Sequence, residues 1–160
     1  MNGSTENRTS GSFDRGSETI LTWVAANRML PLVRLIVEDL AASLQRLADI
    51  QPEIDRLDRH RRTLAWPERS RRYALQEEIT TKERTAGEAR AELDGLGLTL
   101  IDADLCEIGF PTMVNNRKAY FSWRPGEQAI AYWHFLDESD RRPIPATWTK
   151  AADLRTRART

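Results

Sequence analysis

The sequence predicts an α+β fold: a long antiparallel helical hairpin with coiled-coil-like seams, followed by a small antiparallel β-sheet of three or four short strands. Two apolar stripes carry the helices, one through Val33, Val37, Leu40, Leu44, Leu47, Ile54 and Leu57, the other through Leu75, Ile79, Ala86, Ala89, Leu93 and Leu96. Their alternating four- and three-residue steps keep one side of each helix facing a partner. The sheet is carried by a switch to a period near two after Gly95 and Gly97, glycines able to end a helix in a left-handed conformation.

Residues 1–17 are mostly Ser, Thr, Gly, Asn and charged residues, with Phe13 the sole aromatic. Such a segment buries too little apolar surface to offset its ordering entropy, and a disordered tail is expected. One domain should span 18–148, with the hairpin over 18–96, the β unit over 97–137 and a loop over 138–148; 149–160 reads as a polar C-terminal tail.

Thr22 is a suitable N-cap for a short helix through Leu30, and Pro31 should kink that helix or begin a new one. The first arm then runs from Leu32 to about Leu64, with a bend or break at Pro52; the second runs from Glu68 to Asp94 after the Ala65-Trp66-Pro67 connection. Leu98–Ile101 and Leu105–Phe110 are strand candidates, Pro111 restricting the latter to an edge or a strand end. Asn115-Asn116-Arg117 reads as a turn into strands over Lys118–Arg124 and Ala129–Phe135, and the segment ESDRRPIP as loop.

With 24 basic and 24 acidic residues the chain carries no formal net charge, which excludes a uniformly basic nucleic-acid binder and leaves only a local patch for that role. The single cysteine, Cys106, excludes an internal disulfide and fits a reducing cytoplasm. In an apolar strand without a nearby basic residue it reads as packing rather than a nucleophile. No apolar run is long enough to span a bilayer.

The densest stretch of chemistry-bearing residues is Ala119–Asp137, AYFSWRPGEQAIAYWHFLD. With an even-length connection through Pro125-Gly126, Phe121, Trp123, Ile130, Tyr132 and His134 share one face, and Tyr120, Ser122, Arg124, Ala131 and Trp133 the other. An odd-length loop would break that assignment. His134 could act as a general base or metal ligand with Glu127, Tyr132, Trp123 and Asp137 around it; the plainer reading is a partly buried, hydrogen-bonded histidine. Arg124 could bind an anion or simply be solvated. No cofactor is indicated, and catalytic activity is left open. At the turn between the arms, Arg59, Arg61, Arg62, Arg69, Arg71 and Arg72 flank Trp66, a pattern that suits a polyanion, although charged helix faces are commonly just solvated.

Several of these residues resemble one family. Thr22, Ala26-Asn27, Leu30-Pro31 and Val33, then Phe110-Pro111, Trp123, Gly126-Glu127 and Trp133-His134, follow in order the pattern of the uncharacterised bacterial family known as domain of unknown function 2203. The likeness covers about Ile20–Pro143. It implies a helical hairpin joined to a small β unit, and brings no established activity, cofactor or catalytic residue. Gly109 stands where the pattern has Asp before Phe-Pro, and Ser122 where it has Cys before Trp.

The expected role is a non-enzymatic protein-interaction module that self-associates through the helices or the aromatic sheet, since two seams and a two-faced aromatic hairpin leave much apolar surface to cover. The alternative is a small-molecule or metal site, enzymatic or not, centred on the Trp-x-x-Gly-Glu and Trp-His elements.

Overall fold

The computed structural model describes residues 19–150. The tail expected over 1–17, and residues 151–160 of the one expected over 149–160, lie outside the described residues; 149 and 150 instead close a helical turn.

Helix α1 spans Trp23–Arg59 and helix α2 spans Trp66–Gly95. Thr22 caps α1: its Oγ1 accepts from the Ala25 N–H at 3.2 Å. The expected interruptions at Pro31 and Pro52 do not occur, and α1 is one helix of 37 residues through both. Both prolines are exposed, so the ring and the missing N–H meet solvent rather than a packed neighbour. Leu30 and Val33 on either side of Pro31, and Ile50 and Ile54 on either side of Pro52, are buried. That burial of about 1.5–3 kcal/mol per large side chain holds the helix together across a locally unfavourable residue.

The two arms meet along most of the expected stripes, with Ile50 buried in the seam where Leu47 is only half-buried. Ile50, Ile54, Leu57, Leu64 and Leu75 form a small core at the turn end, joined by Ile79. Val33, Val37 and Leu40 of α1 and Ala86, Ala89 and Leu93 of α2 belong to the main core that also takes in the sheet. Four ion pairs bridge the arms: Arg46–Glu78, Glu53–Arg71, Asp58–Arg72 and Arg56–Glu68. Lying at the surface, they fix helix register more than they add stability.

The sheet is a five-stranded antiparallel meander in the order β1 (Thr99–Asp102), β2 (Glu107–Val114), β3 (Arg117–Trp123), β4 (Tyr132–Phe135) and β5 (Arg142–Pro143). Pro111 lies inside β2, but β1 pairs no further along it than Gly109. Past that point the vacant edge is taken by the chain entering α1: the Leu21 N–H donates to the Pro111 carbonyl at 2.8 Å and the Thr112 hydroxyl to the Leu21 carbonyl at 2.9 Å. Proline is tolerated because its missing N–H falls where β1 has ended. Cys106 lies in the β1–β2 turn with φ 49°, not in a strand.

Register corrects the face assignment. Tyr120 pairs with His134, Phe121 with Trp133 and Ser122 with Tyr132, leaving an odd-numbered connection over 123–131. Phe121, Trp123, Trp133 and Phe135 therefore face the helices, in the core with Ile108 and Phe110. Tyr120, Ser122, Tyr132 and His134 share the outer face. The expected 138–148 loop is also more ordered than its composition suggested. Pro143 pairs with Tyr132 and Arg142 with Trp133, and a helical turn over 146–150 stacks Trp148 against Trp133 at a ring separation of 5.4 Å.

No described helix is long and apolar enough to cross a membrane.

Candidate functional site

The outer face of the sheet holds a cluster of polar side chains that the strand register brings together from four segments. Glu107 opens β2, Ser122 and Arg124 come from the end of β3, His134 from β4, and Arg141 precedes β5. Glu127 joins them from the β3–β4 connection, which α1 clamps in place. The Trp23 indole donates to the Ile130 carbonyl at 2.9 Å, the Ile130 N–H to Asn27 Oδ1 at 3.0 Å, and the Arg34 guanidinium to the Gln128 carbonyl.

Glu107 is buried, so its charge needs internal partners. Its Oε1 accepts from the Ser122 hydroxyl at 2.7 Å, and its Oε2 from Arg124 Nε at 2.8 Å and Nη2 at 2.6 Å. Burial alone would raise this carboxyl, but the Ser122 and Arg124 hydrogen bonds and the Arg124 and Arg141 charges hold it below the ordinary range. Glu127 follows the same logic. Burial pushes it up, and Arg141, bidentate at 2.8 Å to each oxygen, together with the Arg124 N–H at 2.9 Å, brings it lower. Arg141 also donates to the Ser122 hydroxyl at 2.9 Å and lies 4.3 Å over the Tyr132 ring. Two carboxylates and two guanidiniums thus balance each other.

His134 is 2% exposed. Its Nδ1 lies 2.7 Å from the Phe135 carbonyl, which can only accept, so Nδ1 carries a proton. Nε2 makes no hydrogen bond and lies 3.5 Å from Glu107 Oε1. The ring meets Tyr120 edge-on at 6.0 Å. Tyr120 lies across Gly109: a Cβ built there would come 2.7 Å from the Tyr120 ring and 2.8 Å from the Ile101 side chain.

Of the residues singled out in the sequence, Tyr132, Glu127 and His134 do border this cluster. Trp123 is on the inner face and touches it only through its indole, which donates to the Glu127 carbonyl at 2.9 Å. Asp137 is exposed and pairs with Arg117 at 3.3 Å, away from His134's partners. Glu107 and Arg141 were not anticipated. A charged residue inside the apolar run Leu105–Phe110 was the available signal for Glu107; nothing in the loop composition marked Arg141. Cys106 is buried, which raises its thiol, with Asp102 adding to the effect, as suits a packing role. Among the described residues, no three His, Cys, Asp or Glu side chains gather closely enough to hold a metal ion.

An open groove of about 650 Å³ lies between α1 and the β3–β4 connection, lined by Arg34, Val37, Trp123, Pro125, Glu127 and Gln128 among others. At the far end of the hairpin Trp66 is 69% exposed. Arg69 lies 5.9 Å over its ring, while Arg71 and Arg72 are engaged with Glu53 and Asp58.

Fold and cluster together define a class: an α+β protein in which a helical hairpin clamps a meander whose outer face carries a charge-balanced, hydrogen-bonded network. The chain belongs to the family described as Uncharacterized conserved protein (DUF2203), whose model matches residues 19–144. No curated protein and no solved structure matches it. Gly109 and Ser122 are register partners on the outer face. In this chain the first position is filled by the Tyr120 ring and the second serves Glu107 and Arg141.

Proposed function

We propose that this chain is a non-enzymatic protein-interaction module that self-associates through α1. One observation carries the reading: Leu32 and Leu35, three residues apart on α1, are 51% and 64% exposed beside the exposed Pro31. Val33, Ile36 and Val37 already supply the core from the other side of the same turns. Adjacent large apolar side chains left in water on a long helix suit contact with a second helix. The outer-face cluster supports a structural role for its polar groups, since each carboxylate is held by an arginine and spends its lone pairs on internal donors. A reducing cytoplasm suits the single, buried Cys106. Co-expression of two differently tagged copies tests the reading. One tag should retain the other copy, and Leu32→Glu with Leu35→Glu should abolish retention while the circular dichroism spectrum is kept. Absence of retention for the parent chain would overturn it.

A second reading, a small-molecule or metal site at the hairpin, is favoured by His134 Nε2, a buried nitrogen without a hydrogen bond. Metal analysis of purified protein and a ligand-dependent melting screen test it. A stoichiometric metal or a ligand shift lost in His134→Ala supports that site; neither, with only destabilisation in the variant, makes the histidine structural.

A further inference from the structure

We propose that the closed end of the helical hairpin is a docking surface for single-stranded nucleic acid. Once ion pairs are assigned, the arginines of this end divide into two groups. Arg56, Arg71 and Arg72 are matched by Glu68, Glu53 and Asp58. Arg59, Arg61, Arg62 and Arg69 form no ion pair with any described carboxylate. Asp55 is the one carboxylate of this end in no ion pair, so four cations over 59–69 face a single unpaired acid and leave a local positive excess in a chain whose net charge is zero. A local excess of this kind attracts a polyanion where the whole molecule would not.

The second observation is aromatic. Trp66 and Tyr73 are 69% and 60% exposed, and with Arg69 they stand at steps of three and four along α2. Residues so spaced form one row on a helix, about 10 Å from first to last at helical rise. The Arg69 guanidinium, 5.9 Å from the Trp66 ring, confirms that neighbouring members of the row meet. An aromatic, a cation and a second aromatic in line offer two stacking faces and a phosphate contact between them. Bases can use such faces only when unpaired, which favours a single strand over a duplex. The tip carries no groove-reading element, so binding should be indifferent to sequence.

Fluorescence anisotropy with a labelled oligo(dT) 20-mer tests this in the intact chain, beside a duplex of equal length and phosphatidylserine-containing vesicles. Four phosphate contacts predict a log–log salt slope of about −2.8 for a single strand, roughly a 50-fold loss of affinity between 50 and 200 mM salt. Joint replacement of Arg59, Arg61, Arg62 and Arg69 by Ala should abolish binding. Trp66→Ala and Tyr73→Ala should each weaken it about tenfold. All six side chains are exposed, so circular dichroism should be unchanged. No binding at 50 mM salt overturns the proposal. So does tighter binding to duplex or vesicles, or affinity indifferent to these substitutions.

Discussion

Replacing Glu107 with Ala is the most informative perturbation of the outer-face network. The substitution removes the acceptor of the Ser122 hydroxyl and of two Arg124 N–H groups, and leaves the Arg124 guanidinium without its carboxylate. Breaking one side of a fully buried ion pair costs about 3–5 kcal/mol. Arg124 is about a third exposed and regains some hydration, and Ser122 keeps its contact with Arg141. The low end applies: about 3 kcal/mol. For a domain of this size that corresponds to a fall in Tm of roughly 9 °C. Urea unfolding followed by circular dichroism measures the free energy directly. The Arg124→Met variant and the double variant complete a cycle whose coupling should exceed about 1 kcal/mol. A loss below about 0.5 kcal/mol for Glu107→Ala, or strict additivity with Arg124→Met, would refute the view that this pair organises the sheet face.

Two further outcomes follow from the same geometry. Glu107 and Glu127 both titrate below the ordinary 4.5 in the folded chain, so their stabilising effect is complete above that value and is lost as pH falls through the lowered folded values. The urea midpoint should be nearly flat from about pH 7 to 5, decline below about 4.5, and decline less in a Glu107→Ala, Glu127→Gln variant. Gly109→Ala forces a Cβ to within 2.7 Å of the Tyr120 ring, and should cost about 1–3 kcal/mol by urea unfolding. That cost should shrink in a Tyr120→Ala background, and an equal cost in both would show that the ring is not what excludes a side chain at 109.

The helices were legible because burial against one partner imposes a period that sequence records directly: Val33, Val37, Leu40, Ile54, Leu57, Leu75, Ala86, Ala89 and Leu93 are all buried. Proline was misread because its local cost was weighed without the burial flanking it. The sheet face was illegible for a different reason. Its residues are assigned to faces by the parity of the 123–131 connection, and that parity is set by contacts from Trp23, Asn27 and Arg34, about a hundred positions upstream. One residue's difference in loop length exchanges Trp133 for His134 in the core. Arg141 and the two-residue β5 left no periodic trace, since Arg142 and Pro143 owe their strand pairing to partners in β4.

Light scattering across a concentration series tests the central claim, self-association through α1, most directly. The account predicts a mass of twice the 18.4 kDa of one chain, returning to 18.4 kDa when Leu32 and Leu35 are both replaced by Glu. A mass of 18.4 kDa at every concentration, or an assembly that survives both substitutions, would contradict it.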